Sequence, residues 1–268
     1  LEAAAAVPLT GGENGTVSGE DHQAYLHKAE SYAFNTMGAA VTDDTTKSLY
    51  AAYNKRLRDE MGVKFQLVLY DYAKADFMGV ISVNNKVLDE GWSEAGLVYW
   101  VTGASAGCAV NKSNQNRKYD GGFTVDTPYT QSQLKAAIKA GKFTFHLVGT
   151  DVRVLEDVNT MVTVSDTMGD IFKDNQTVRV IDQIGNDIAM LFNTKYLGVV
   201  PNDAAGRISL WSDIVKHHEQ LQEIRAIEDF SDADVTVAQG ETKKSVVVAD
   251  SVTVVNAMGK LYMTVTVA

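Results

Sequence analysis

The 268-residue sequence has a single cysteine, Cys108, and no long hydrophobic run. One thiol excludes an internal disulfide and any zinc site built mainly from cysteine. No stretch reaches the roughly 18 consecutive apolar residues that a membrane-spanning helix needs. The first residues also lack the basic region and hydrophobic stretch of a secretion signal. We therefore expect synthesis in a reducing cytoplasm, without export, and no membrane partner.

Basic residues are in deficit, with 24 Lys and Arg against 34 Asp and Glu, a formal net charge of -10. Nucleic-acid binding draws its affinity from clustered Lys and Arg, so the acidic balance argues against a DNA or RNA partner. A content of 45% hydrophobic and 22% charged residues is typical of a folded globular protein. The sequence begins at Leu1 rather than at Met, and we expect it to be part of a longer polypeptide.

Helical and extended patterns alternate in the first part of the chain. Strands are predicted over residues 63–70 and 80–83, and the apolar stretch from Trp92 to Val110 predicts a buried helix. Other helices are predicted to begin at polar N-caps, which are Ser18, Asp44 and Thr130. Gly141 is placed to end the helix that Thr130 begins. This alternation is typical of a layered α/β unit with a mainly parallel sheet.

The pattern changes from Phe143 onward, and Gly149 to Asp151 suits a hairpin turn. Antiparallel strands are predicted over residues 143–148, 152–158 and 161–164. Two amphipathic helices, over residues 178–191 and 210–221, precede strand-like segments at 234–237, 244–255 and 261–267. The predicted fold class is therefore α/β followed by α+β. We place the boundary near Thr150, with an α/β domain over residues 1–150 and a smaller α+β domain over residues 151–268.

The string Gly103-Ala104-Ser105-Ala106-Gly107 matches the G-x-S-x-G nucleophile elbow of serine hydrolases. That chemistry needs the serine at a strained turn between a strand and a helix. An acid and a histidine must follow, and the candidates are Asp120 or Asp126 with His146 or His217. Because a polar loop begins at Asn111, the helix that should follow the elbow has no room. We favour a stripe of small residues on a buried helix.

His217 and His218 suggest a metal site. Adjacent helical residues point about 100° apart, however, and no third ligand is apparent. We expect His218 on the inner face of its helix and His217 exposed. The sequence thus predicts no metal, no cofactor and no catalytic residue.

The C-terminal run has high β propensity, little charge and no proline. An apolar strand with unpaired edges promotes aggregation unless something pairs with it. It either closes a sheet in its own chain or adds to a neighbour's sheet by β-augmentation. The candidate inter-subunit strand arm is Leu261, Tyr262, Met263, Thr264, Val265, Thr266 and Val267.

Long ordered strings of this sequence resemble the tail sheath proteins of contractile phages and of phage-tail-like bacteriocins. The strings are Val178 to Asp182, Phe192 to Gly198, Pro201 to Arg207, Val235 to Val237, Gly240 to Val248, Leu97 to Gly103, Cys108 to Asn114 and Phe143 to Thr163. The resemblance is strongest to sheaths of defective prophages and tailocins of Gram-positive bacteria, and it covers essentially the whole chain. Family members are longer at the N-terminus.

The resemblance implies a non-catalytic domain with the topology named subtilisin-like, followed by the sheath C-terminal domain. It implies stacked hexameric rings around an inner tube, with strand arms donated between subunits. It also implies contraction from a metastable extended state, without nucleotide, that drives the tube through a target envelope. The partners would be other copies of the chain, the inner tail tube protein and the baseplate, in a phage tail or phage-tail-like particle.

The family's tube contact involves a helix of the C-terminal domain, and the candidate here runs from Arg207 to Ile227. Its predicted outward residues are Asp213, Lys216, His217, Gln220 and Glu223. Their mixed charges suit a weak, electrostatic contact. Two alternatives stay open: a serine hydrolase that uses Ser105, and a monomeric binding module whose terminal run has no role in assembly.

Overall fold

The computed structural model describes residue 11 and residues 15–267. The described residues up to Ala33 form one compact unit, and those from Phe34 onward form a second. The first unit contains helix α1, Gly19–Ala29. The Ser18 hydroxyl accepts the N–H of Asp21, whose carboxylate accepts the N–H of Ser18 in return, and this capping box confirms the predicted helix start.

The second unit is built on a parallel sheet whose strands neighbour each other in chain order. Its strands are β1 (Thr36–Ala39), β2 (Gln66–Tyr70), β3 (Val80–Val83) and β4 (Lys142–Phe143). Leu67 is in register with Met37 on one side and with Val80 on the other. Strands β2 and β3 are buried almost throughout, as in parallel sheets covered on both faces. The predicted parallel sheet is therefore confirmed.

Three helices pack on this sheet: α2 (Asp44–Asp59), α3 (Leu97–Ala106) and α4 (Gln131–Lys139). Thr130 caps α4 as predicted, and Gly141 after it has a φ of +68°. The predicted cap of α2 is wrong by one residue, because the Asp43 carboxylate, not that of Asp44, accepts the N–H of Thr46 at 2.7 Å.

Helix α3 is shorter than the predicted stretch from Trp92 to Val110. Trp92 lies before it, and both Trp92 and Tyr99 are exposed, by 64% and 66%. The prediction of burial all round is therefore wrong, since one side of α3 faces solvent. On the inner side α3 approaches β1 so closely that a Cβ on Gly38 would lie 2.1 Å from Thr102 Oγ1.

The antiparallel part of the fold begins with β5 (Phe145–Val148) and β6 (Asp151–Val154), which form the predicted hairpin around Gly149. The strand predicted over residues 161–164 is wrong. The backbone N–H groups of Val162 and Thr163 donate to the Asp76 carboxylate, at 2.7 and 3.0 Å, instead of to a neighbouring strand.

Two long helices follow, α5 (Asn175–Leu191) and α6 (Ala204–Glu223), with a π-helical turn at Phe192–Tyr196 between them. Both helices were predicted, and their N-caps are Asp174 and Asp203. The last strands form two antiparallel pairs, one of β7 (Ile227–Glu228) with β10 (Thr253–Val254) and one of β8 (Val235–Gln239) with β9 (Val246–Asp250). No described helix is long and apolar enough to cross a membrane.

The hydrophobic core of the sheet region includes Val68, Ile81, Leu97 and Phe143. A separate cluster lies under the β8–β9 hairpin and includes Tyr196, Leu210, Ile214 and Val235. The boundary near Thr150 stays a prediction.

Candidate functional site

The β8–β9 hairpin lies against α6 and has open backbone edges. Its five residue pairs run from Val235 opposite Asp250 to Gln239 opposite Val246. Val235 is buried against α6, and its carbonyl accepts the indole N–H of Trp211 at 3.0 Å. Within the described part of the chain, no third strand pairs with this hairpin. It is therefore a sheet with room for further strands.

An apolar groove runs beside β9, with a volume of about 510 Å³. Its walls are formed by residues of α5, α6 and β9 together with the π-helical turn. The apolar lining residues are Ile188, Ala189, Phe192, Leu210, Val246 and Val248. A groove of this composition takes hydrophobic side chains, and it is next to the strand whose edge is open.

The segment Leu261–Val267 forms no strand and is exposed along its length. Leu261 and Val267 are 86% and 90% exposed. The chain just before it is fixed to α5, because the side chain of Gln176 donates to the Val255 carbonyl and accepts the N–H of Ala257, at 3.0 and 2.9 Å. The candidate arm therefore begins shortly after an anchored point. Its pairing between subunits stays a prediction.

Only part of the predicted outward face of α6 is exposed: Lys216, Gln220 and Glu223. Asp213 is half-buried; it forms an ion pair with Lys195 at 2.5 Å and accepts the Tyr196 hydroxyl proton. Burial alone would raise the pKa of Asp213, but the hydrogen bonds from Lys195 and Tyr196 outweigh it and lower that pKa.

His217 is also not outward-facing, since its Nε2 lies 2.9 Å from the Asp187 carboxylate on α5. His218 is fully buried, as predicted, with Nε2 2.8 Å from the Asp250 carboxylate on β9. The two rings thus contact different acids on different elements. Across the described residues, no three His, Cys, Asp or Glu side chains are grouped to hold a metal ion.

Ser105 lies within α3 and not at a turn between a strand and a helix. Its hydroxyl is buried and has no hydrogen-bond partner. No histidine is among the described residues that line the cavity beside it. Cys108 in the same wall is a poor nucleophile, because burial raises the pKa of its thiol. The helix interpretation of this motif is confirmed, and the geometry of a nucleophile elbow is not present.

Two domains of known protein families together match almost the whole chain. Residues 15–160 match the phage tail sheath protein central domain, and residues 167–268 match the phage tail sheath C-terminal domain. The chain belongs to the phage tail sheath protein family. Residues 161–166 of this sheath chain lie between the two matched regions.

The sheath chain is 31% identical over 280 residues to the phage-like element PBSX protein XkdK of Bacillus subtilis, of which it spans 60%. A crystal structure of the sheath tail protein DSY3957 from Desulfitobacterium hafniense is 38% identical, with a TM-score of 0.79 over 89% of this chain and 58% of that one. The contracted helical sheath of the anti-feeding prophage shares the fold at 15% identity, with a TM-score of 0.71 over 92% of this chain and 74% of that one.

Sequence analysis predicted strand-like segments at 234–237 and 244–255, and the consecutive β-branched residues Val246-Val247-Val248 supported the second of them. It missed that the two strands form a hairpin with an open edge beside a groove. The groove had no such signal. Its walls join Ile188, Leu210 and Val246, which are distant in sequence and meet only in the folded chain.

Proposed function

We propose that this sheath chain is the assembling part of a contractile tail sheath subunit, which stacks as hexameric rings around an inner tube. Contraction of the stack drives the tube through a target envelope. The observation that carries the proposal is that one chain holds both an exposed apolar arm, Leu261–Val267, and a hairpin with an open edge beside an apolar groove. A strand donor and a strand acceptor in one molecule allow each copy to link head-to-tail to the next.

The residue pattern of the arm supports strand addition. In an extended chain, alternate side chains point to the same side. One side of the arm then carries Leu261, Met263, Val265 and Val267, and the other carries Tyr262, Thr264 and Thr266. We propose that the first side enters the groove of a neighbouring copy while the backbone pairs with β9. Each aliphatic side chain so buried contributes about 1.5–3 kcal/mol before the entropy of ordering the arm is subtracted.

A strand arm also suits contraction. Contraction needs two packings of the same subunit and a link that survives the change between them. Main-chain hydrogen bonds persist when the connecting segment bends, and the chain between Ala257 and Leu261 includes Gly259. The difference in surface buried between subunits would supply the free energy, so no nucleotide is required.

The outer face of α6 is the proposed contact with the inner tube, through Lys216, Gln220 and Glu223. These exposed residues of mixed charge give a weak contact that can be released on contraction. Asp213 and His217 would position the helix through their pairs with Lys195 and Asp187. We also propose that the α/β part has the subtilisin-like topology without protease activity, and that sheath ends meet the baseplate.

Electron microscopy of the full-length protein that contains this chain tests the proposal. We expect tubes with six-fold symmetry from the intact protein and only unassembled subunits after deletion of residues 261–268. A protein that stays monomeric at high concentration, or tubes that form without the arm, would overturn the proposal.

A further inference from the structure

An exposed aromatic patch lies on the outer side of α3, on elements that form neither the arm nor the groove. The patch consists of Leu88, Trp92, Tyr99 and Phe123. Trp92 and Tyr99 are mostly exposed and Leu88 is half exposed, while the rings of Trp92 and Phe123 are in contact, with centroids 5.1 Å apart. Exposed apolar patches of this kind are typical of protein–protein contact sites. The function proposed above gives this patch no role.

The patch is continuous along the first turns of α3. A Cβ on Gly96 would lie 3.1 Å from the Phe123 ring, so this ring covers the residue before the helix. Tyr99 follows Gly96 by three residues and Gly103 follows Tyr99 by four, and residues at these spacings lie on one side of a helix. Gly103 faces open space, since a Cβ there would meet nothing within 4 Å. A second element can therefore approach α3 closely beside Tyr99.

Acidic residues border the patch and give it negative charge. Glu90 lies between Leu88 and Trp92 in the sequence, and Glu94 begins the short turn that leads into α3. Both glutamates are exposed, and neither forms an ion pair within the described part of the chain. A protein surface that covers Trp92 favourably must therefore bring positive charge.

Helix α4 has an outer side of the matching chemistry. The helix contains no Asp or Glu, and its two lysines, Lys135 and Lys139, are exposed and lie one turn apart. Ala136 is exposed beside them and is small enough to allow close contact. The inner side of α4 is formed by Leu134 and Ala137, which are buried. Neither lysine forms an ion pair with any residue that the structure describes, so this basic surface is free in the single chain.

We propose that the aromatic patch of one copy docks on the outer side of α4 of a second copy. The two lysines would pair with Glu90 and Glu94, while their aliphatic stems cover the Trp92 ring. Among aromatic rings, that of Trp binds a cation most strongly. Because the contact joins two different surfaces of the same chain, it repeats from copy to copy and builds a ring or a helical stack. The proposal rests on the proposed self-assembly and adds a second contact to that of the arm.

Charge reversal in the full-length protein tests this contact. The patch variant carries Glu90→Lys and Glu94→Lys, and the helix variant carries Lys135→Glu and Lys139→Glu. Each variant brings like charges together across the contact. We therefore expect the critical concentration for tube formation, measured by sedimentation, to rise at least about tenfold in each.

A matched control separates the contact from a general effect of charge. Glu60→Lys with Asp166→Lys reverses two exposed acids outside the patch and changes the net charge by as much as the patch variant does. We expect its critical concentration to lie within about threefold of that of the unsubstituted protein. A control that assembles as poorly as the patch variant would overturn the proposal.

Mixing the patch variant with the helix variant identifies the partner surface. In the mixture, the reversed patch of one protein meets the reversed α4 of the other, so opposite charges face each other again. We expect an equimolar mixture to assemble within about threefold of the unsubstituted protein, and this recovery would also exclude misfolding of the variants. A helix variant that assembles normally, or a mixture no better than either variant alone, would overturn the proposal, because the patch would then have a different partner.

Cross-linking measures the contact independently of tube formation. In a Cys108→Ser background, Ala106→Cys places a thiol on the outer side of α3, two turns after Tyr99, and Ala136→Cys places one on α4. A short bismaleimide should join the two proteins when they are mixed and should join neither protein to itself. Cross-linking without tubes would contradict the proposed sheath function and support the contact. Absence of cross-linking would overturn the contact, whether or not tubes form.

Discussion

Arg58 on α2 and Asp182 on α5 form a buried, two-pronged ion pair, with Nη1 to Oδ2 and Nη2 to Oδ1 distances of 2.6 and 2.7 Å. Their side chains are 1% and 11% exposed, and 124 residues separate them in sequence. Arg58 also donates to the Phe65 carbonyl at 2.8 Å, at the residue before β2. The pair therefore joins the sheet region to the helix that begins the C-terminal part of the chain.

The first prediction concerns this pair. Asp182→Ala leaves the Arg58 charge buried without its carboxylate, and we expect a loss of about 3–5 kcal/mol in the free energy of unfolding. The double variant Arg58→Met with Asp182→Leu should lose less than the single variant, because no unpaired charge remains. Urea unfolding of the three proteins measures both values. A single variant that costs under about 1 kcal/mol would contradict the structural role of the pair.

The second prediction separates the two sides of the arm. Val265→Asp places a charge on the side proposed to enter the groove, and Thr264→Asp places the same charge on the other side. We expect Val265→Asp to abolish tube formation and Thr264→Asp to reduce it little. Because both positions are exposed in the single chain, each free energy of unfolding should change by less than about 0.5 kcal/mol. Equal effects on assembly would mean that no side of the arm is buried.

The third prediction concerns acid. Burial alone would raise the pKa of Asp76, but hydrogen bonds from Thr163 and from the Val162 N–H outweigh it and lower that pKa below 3.8. Its stabilising contribution is therefore complete above pH 3.8 and is lost as the pH falls through the folded-state pKa. Asp76→Asn should lower the unfolding temperature at pH 6 and reduce the difference in unfolding temperature between pH 6 and pH 3. Thermal unfolding of both proteins at both pH values measures these temperatures. If the variant and the unsubstituted protein show the same difference, the Asp76 carboxylate does not contribute as proposed.

The fourth prediction distinguishes a residue of α6 proposed to contact the tube, Lys216, from one that stabilises the fold, Asp213. Lys216→Glu should weaken co-sedimentation with the inner tube protein, increasingly so at low salt, while changing the free energy of unfolding by less than about 0.5 kcal/mol. Asp213→Asn should instead lower stability, since it removes the ion pair with Lys195. If Lys216→Glu co-sediments with the tube protein as strongly as the unsubstituted protein does, α6 is not the contact.

The fifth prediction addresses the hydrolase alternative. A fluorophosphonate probe needs an accessible, activated serine, and the Ser105 hydroxyl is buried within α3. We expect no labelling of the parent protein beyond that of Ser105→Ala. Labelling that disappears in the variant would establish Ser105 as a nucleophile.

Local signals in the sequence predicted much of the fold. Ser18 and Thr130 were correct N-caps because a cap is decided by residues three positions apart. The failures came from distant partners. Residues 161–164 look like a strand, but the Asp76 carboxylate takes the backbone hydrogen bonds of that segment.

The candidate sites also divide into features that local sequence predicted and features that depend on residues distant in sequence. The composition and free edge of the arm were apparent in Leu261–Val267 alone. On α6, helical spacing predicted the exposure of Lys216 but could not anticipate that Asp213 and His217 pair with Lys195 and Asp187, which are distant in sequence.

The open edge of β9 has a consequence for cells that make more than one related sheath protein. Backbone N–H and C=O groups are the same in every protein, so an edge strand accepts a related arm as readily as its own. Only the groove beside β9, with residues such as Ile188 and Phe192, can distinguish the side chains of one arm from those of another. In the assembly proposed here, those residues decide whether two related sheaths made in one cell stay pure or copolymerise.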